Sequence, residues 1–532
     1  MGGQQSKGAA SSLRTQDKLL VNRLRQAKLH DGSATSSRET TNEKTNEKTA
    51  TYEEAIVRDA EPLALDVVAA IPARLLEDPR NRLALSALSS ANPRTVLTSQ
   101  ASQITHQHLF NTKIPSEGAP VTNQRSSGRC WLFAATNVFR VALMNRYNVE
   151  SFELSQNYLY YYDKLEKSNW FLEQIIDTAG EDLEGRLVQR LLGDLVSDGG
   201  QWDMVYNLVD KYGLVPQALY PDSWNAKNSS VLNAVLRTKL REFALTLRGV
   251  VAEGGGGGRD PTSAVLSALK ADMMKEIQHI LTLLLGPTPD PTAEFQWTYV
   301  DKDDKVHELS ITPRDFARTV SSSGFQMMAS SLSLTSSSSS SWLAIADMVS
   351  LVNDPRNEYM KPLTVDRLGN VVGGRNTTYL NVDMETIKTA CVKMIRAGSP
   401  VFFGCDVGKF SDKASGIMDL AIFDYEAGLR TDLLGMTKEQ RLRAGESLMT
   451  HAMVLTAVHL DDRTGRPLRW RVQNSWGTDS GDKGWFVMSD AWMDEWVYQA
   501  VVDPRLLSRE VRDVLGQEPV VLPLWDPMGA LA

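Results

Sequence analysis

A polar, glycine-containing turn, Gln124-Arg125-Ser126-Ser127-Gly128-Arg129, runs directly into an apolar, alanine-rich segment that opens Cys130-Trp131-Leu132-Phe133-Ala134-Ala135. That junction predicts a helix with Cys130 in its first turn. Unpaired backbone N–H groups and the positive end of the helix dipole favour an anion there, and the thiolate is the nucleophilic form of cysteine. The competing reading is a small buried hydrophobe, which is what most free cysteines are.

The partners for such a thiol lie far downstream. His451-Ala452-Met453-Val454-Leu455-Thr456-Ala457-Val458-His459 is apolar and β-branched, the pattern of a strand. A polar turn over Asp461-Asp462-Arg463-Thr464-Gly465-Arg466-Pro467 leads to a second strand pattern, Leu468 to Gln473, which ends at Asn474-Ser475-Trp476-Gly477. Folded as an antiparallel hairpin, the start of the first strand meets the end of the second, so His451 and Asn474 become neighbours within a residue or two. His459 lies roughly 26 Å further along at strand rise, and only His451 can serve a site beside Asn474. A fold that uses all of this must bring the start of a helix against the open end of a hairpin 321 residues later.

These segments resemble the papain-like cysteine peptidases, and among them the bleomycin hydrolase family. Gln124, six residues before Cys130, is similar to the family's oxyanion-hole glutamine, and Cys130-Trp131 to the nucleophile and its aromatic neighbour. His451 matches the general base, and Asn474, in Asn-Ser-Trp-Gly, the residue that orients it. Leu351-Val352-Asn353-Asp354-Pro355-Arg356, Phe403-Gly404-Cys405-Asp406-Val407-Gly408, Met488-Ser489-Asp490-Ala491-Trp492-Met493-Asp494 and the terminal Trp525 to Ala532 are also similar. The resemblance covers roughly residues 50 to 532 and implies an α+β, papain-like fold, a helical half plus a β-barrel-like half, with large helical insertions. It further implies peptide substrates, substrate contacts at Trp131, Trp476 and Ala532, and a homohexamer with enclosed sites. Two departures stand out. Ser127-Gly128-Arg129-Cys130-Trp131 lacks the first cysteine of the secreted papain pattern, and the histidine follows the nucleophile some 170 residues later than that pattern expects.

The chemistry expected of these residue types is a thiolate–imidazolium pair made by proton transfer from Cys130 to His451. Asn474 fixes the imidazole tautomer without adding charge. Gln124 and the Cys130 backbone N–H donate to the oxyanion formed on attack at an amide carbonyl. The apolar, proline-punctuated tail Leu522 to Ala532 is implied by the resemblance to enter the cleft, where the Ala532 carboxylate would hold a substrate's α-amino group and limit cleavage to single amino-terminal residues.

Composition bounds the rest. Three cysteines, Cys130, Cys391 and Cys405, are too few for a disulfide framework and indicate a reducing compartment. No apolar run approaches the roughly 20 residues of a membrane helix, and seven scattered histidines make no metal cluster, so neither metal nor cofactor is expected. A net charge of −8 gives no general attraction to nucleic acid, and Lys361, Lys409 and Lys413 form no basic stripe. The alternative to an enzyme is a non-catalytic papain-like scaffold or a nucleic-acid-binding protein.

Along the chain the expected organisation is a disordered tail over 1–50, lead-in helices and the cysteine helix over 51–150, and helical insertions concerned with oligomerisation over 151–390. Low-complexity loops at 253–260 and 319–341 interrupt those insertions. The β half with its histidine and asparagine spans 391–515, and the arm 516–532. Three readings of the amino terminus stand side by side: a plain polar tail, myristoylation at Gly2 followed by basic residues, and a mitochondrial transit peptide. Otherwise the expectation is a cytoplasmic protein.

Overall fold

The computed structural model describes residues 62–256, 263–323 and 345–531. Gly2, the tail over 1–50, Ala532 and most of the two low-complexity stretches lie outside the described residues. The chain divides into two units, the first ending at Asp78 and the second running from Pro79. Within the first, Leu65–Leu75 is helical and buries none of its residues.

The second unit opens with short helices, Pro79–Ser90, Pro93–Leu97 and Gln100–Thr105. Asn92 and Ser99 start two of them by accepting the Arg94 and Ser102 N–H groups. The cysteine helix is Cys130–Arg146, and it is buried around most of its circumference, with Leu132, Ala135, Phe139 and Leu143 in the core. A helix apolar on nearly every face belongs inside a domain. It packs against the tyrosine-rich helix Gln156–Asp177, the helix Trp202–Tyr212 and the strand His451–Leu460.

That strand is central to one large mixed sheet. Its neighbours are Val401–Cys405 on one side and Pro467–Gln473 on the other, both antiparallel. Beyond them lie Val497–Val502 and Trp485–Ser489. Strand residues buried on both faces, such as Val401 to Cys405 and Val497 to Val502, explain why the sequence there reads as continuous apolar runs.

The boundaries differ from the sequence expectation in three places. Val349–Val352, Lys361–Val365 and Thr378–Asn381 join the main sheet, so the β half begins before residue 391. Buried strands of four or five residues carry too few positions for periodicity to separate them from a helical turn. The helix Ser230–Gly256 runs on into the glycine stretch, and Pro313–Ser323 is helical past residue 319. No described helix is long and apolar enough to cross a membrane.

Candidate active site

Cys130 is the first residue of its helix, as the turn-to-helix junction predicts. The Ala452 backbone N–H, the Trp131 N–H and its own N–H point at the sulfur. Ala452 directly follows His451, so the thiol sits at the start of the histidine strand. Cys130 and His451 are both buried, at 2% and 4% exposure. The hairpin register pairs Val454 with Gln473, and Asn474 therefore reaches His451 diagonally rather than from directly opposite. His451 Nε2 donates to Asn474 Oδ1 at 2.9 Å. Asn474 Oδ1 also accepts the Ser475 N–H at 2.7 Å, which fixes the amide with its oxygen towards the ring. Nδ1 is left as the nitrogen available for the thiol proton. His459 pairs with Arg469 near the turn, away from this cluster.

The electrostatics correct one expectation. The N–H groups of the first helical turn do favour the thiolate, but burial outweighs them and pushes the Cys130 thiol up to about 11. Burial likewise pushes His451 down to about 4, against the pull of its bond to Asn474. Either charge alone is opposed by the dry surroundings. Thiolate and imidazolium can form only together, by one proton moving between them, each charge then offsetting the other's desolvation.

Gln124 stands on the turn before Cys130. Its backbone N–H donates to the Ser475 carbonyl at 2.8 Å. Its side-chain oxygen accepts from Ser475 Oγ at 2.6 Å, and Nε2 donates to the Ser127 carbonyl at 2.6 Å. An amide nitrogen carries two hydrogens, so one remains for an oxyanion. Sequence reading assigned no role to Ser475. Its position beside Asn474 was visible, but the partner 351 residues away was not.

The two tryptophans expected to contact substrate differ in their settings. Trp131 is fully buried, with its indole N–H on the Asp198 carbonyl at 2.6 Å and its ring against Gly200. A side chain enclosed in this way packs the helix start. Trp476 covers the His451 ring, with centroids 4.9 Å apart, and is itself partly exposed. It shields the imidazole from water and remains at the edge of the site.

The carboxy-terminal arm is anchored along its length. Val520–Leu522 pairs with Lys361–Val365, Arg356 forms an ion pair with Asp526 at 2.7 Å, and Gln201 Nε2 donates to the Ala530 carbonyl at 2.7 Å. Gln201 follows Gly200, the residue in contact with the Trp131 ring. The three cysteines are free and buried, and no group of His, Cys, Asp and Glu among the described residues could hold a metal ion.

The Peptidase C1-like family model matches residues 62–529. Cysteine proteinase 1, mitochondrial, of Saccharomyces cerevisiae is 43% identical over 462 residues, 86% of this chain and 90% of that protein. Bleomycin hydrolase of Rattus norvegicus is 42% identical over 471 residues, 87% of this chain and 98% of that protein. The crystal structure of PepW from Lactobacillus rhamnosis superposes with a TM-score of 0.80 at 38% identity, covering 88% of this chain and 99% of that one. With that extent of match and a papain-like fold around a buried thiol, the chain belongs to the Peptidase C1-like family and is a cysteine peptidase.

Proposed function

We propose that the chain is an aminopeptidase that removes single residues from the amino ends of peptides and hydrolyses amide-bearing analogues, with Cys130, His451, Asn474 and Gln124 as its working residues. The observation that carries this reading is the convergence of a helix-start thiol, the Ala452 N–H and the His451–Asn474 bond of 2.9 Å. The Cys130 proton passes to His451 Nδ1 as sulfur bonds to the amide carbon, and the carbonyl oxygen takes the negative charge. Gln124 Nε2 and the Cys130 N–H donate to that oxygen. The C–N bond then breaks, His451 returns the proton to the leaving amine, and water cleaves the thioester by the same route, restoring the thiol.

Restriction to the amino end is attributed to the arm, whose Ala530 is held at Gln201 and whose last residue would meet the substrate's ammonium. We further infer, from the resemblance, a homohexamer with enclosed sites, which light scattering on the purified protein tests. A cytosolic location is the companion reading. The yeast relative is named mitochondrial, and intact mass of the native amino terminus separates a transit cleavage, a myristoyl group on Gly2 and a plain tail.

Release of a fluorophore from an aminoacyl amide tests the activity. Turnover should vanish in Cys130→Ala. Turnover that survives in that variant, or a wild-type thiol that resists iodoacetamide, would sink the reading and favour a non-catalytic scaffold or a nucleic-acid binder.

A further inference from the structure

A buried ion pair lies beneath the turn that leads into the nucleophile. Asp198 Oδ2 accepts the Gly128 N–H at 3.1 Å and a bond from Ser229 Oγ. Oδ1 accepts from Tyr160 Oη and from Asn233 Nδ2, each at 2.8 Å, and meets Lys164 Nζ at 2.7 Å. The Asp198 carbonyl takes the Trp131 indole N–H. One residue therefore grips the chain on both sides of Cys130, two positions before it and one after.

The segment carrying Asp198 is itself pinned from the tyrosine-rich helix. Lys164 Nζ donates to the Val196 carbonyl at 2.7 Å, and Lys167 Nζ donates to the carbonyls of Ser197 and Gly199 at 3.0 and 2.6 Å. The space is tight. A Cβ on Gly128 would come 2.8 Å from Asp198 Cβ, so turn and carboxylate are in direct contact.

A neutral side chain could supply several of these bonds. A charge costs more, because Asp198 and Lys164 are both removed from water and neither is stable there unpaired. Burial pushes the Asp198 carboxyl up, but Lys164 and the surrounding donors hold it far below the ordinary carboxylate range. Its negative charge in turn raises the Cys130 thiol. The other charged groups nearby are internally compensated: Lys167 pairs with Asp163 at 2.8 Å, and Arg129, over the Tyr160 ring, pairs with Asp222 at 2.8 Å.

We propose that Asp198, paired with Lys164, is a positioning residue of this site, holding the Gly128 turn and Trp131 so that the Cys130 sulfur and N–H stand where the reaction needs them. The inference rests on the peptidase reading of Cys130. Because the Asp198 charge opposes ionisation of the thiol, removing it moves the pH at which the thiol reacts, which no purely steric support would do.

The experiment records the rate of Cys130 alkylation by iodoacetamide against pH, with kcat and KM for an aminoacyl amide. In Asp198→Asn the acid limb of alkylation moves to lower pH by on the order of half a unit, whereas Lys164→Met strands the carboxylate and loosens its hold on the turn. Each variant loses about tenfold or more in kcat at nearly unchanged KM, since small misplacements of a reacting group cost that much. An Asp198→Asn limb that stays put, or moves to higher pH, overturns the assignment. Should a buried charge deletion fail to fold, Ser229→Ala and Asn233→Ala loosen the carboxylate while keeping both charges; they lower kcat without moving the limb, and an unchanged kcat in both overturns it equally. A wild-type enzyme that is neither alkylated nor active would fell the peptidase reading, and this proposal with it.

Discussion

Gln124 and Ser475 are joined twice, by the Gln124 N–H on the Ser475 carbonyl at 2.8 Å and by Ser475 Oγ on Gln124 Oε1 at 2.6 Å. The turn before Cys130 is thus fastened to the residue after Asn474, and the segment that holds the His451 ring also holds the Gln124 amide. Ser475→Ala removes only the side-chain bond. It should lower kcat about tenfold with KM nearly constant, whereas Gln124→Ala, which removes the donor itself, should cost about a hundredfold or more. Steady-state kinetics on one aminoacyl amide decides, and a Ser475→Ala enzyme as slow as Gln124→Ala would assign the serine a larger role than orientation.

The proposed proton transfer to His451 would make thiol reactivity depend on the imidazole. In His451→Ala the thiol keeps its buried setting without a base, so the acid limb of iodoacetamide alkylation should move up towards about 11. Asn474→Ala leaves the base in place but frees its tautomer and should cost on the order of a hundredfold in kcat. Alkylation profiles of wild type and His451→Ala, with kcat of Asn474→Ala on an aminoacyl amide, measure this directly. Coincident limbs for wild type and His451→Ala would remove His451 from the mechanism.

Burial of a neutral His451 also shapes stability against pH. Its pKa falls from 6.5 to about 4 on folding, so between those values the unfolded chain holds a proton that the folded one does not. The contribution is present above pH 6.5 and is lost as pH falls to 4, up to about 3 kcal/mol from this group. Other groups titrate in the same range, so the measurement is the difference between wild type and His451→Gln in denaturant unfolding. Wild type should lose stability relative to the variant as pH falls from 6.5 to 4, and a flat difference would contradict the assignment.

The arm offers a specificity test. Arg356 holds Asp526 with two nitrogens, and Gln201 holds the Ala530 carbonyl. Removing the last four residues should admit substrates blocked at the amino end, with Arg356→Ala giving a weaker effect of the same kind. Digestion of an N-acetylated peptide followed by mass spectrometry reads both. Unchanged selectivity in the truncated enzyme would detach the arm from substrate choice.

Much of the site was legible because its parts are local. A glycine-containing turn before an apolar run sets the helix start at Cys130, and two β-branched runs around a polar turn set the hairpin that presents His451 and Asn474. The strands between Val349 and Asn381 were missed because four or five buried residues carry no diagnostic period. The enclosure of Trp131 was not legible because adjacency to Cys130 in sequence does not fix which way a side chain faces: a helix turns each successive residue by about a hundred degrees, and here the indole turns into Gly200.

By itself, then, the sequence determined which groups exist and which short elements carry them, since turn chemistry and hydrophobic period act over a few neighbouring residues. Tertiary structure alone decided that burial would raise the thiol rather than lower it, that Ser475 would orient Gln124, and that Asp198 and Lys164 would sit beneath Gly128. Those outcomes depend on distance and on exclusion of water between segments up to 351 residues apart, and both are set only once the core has closed.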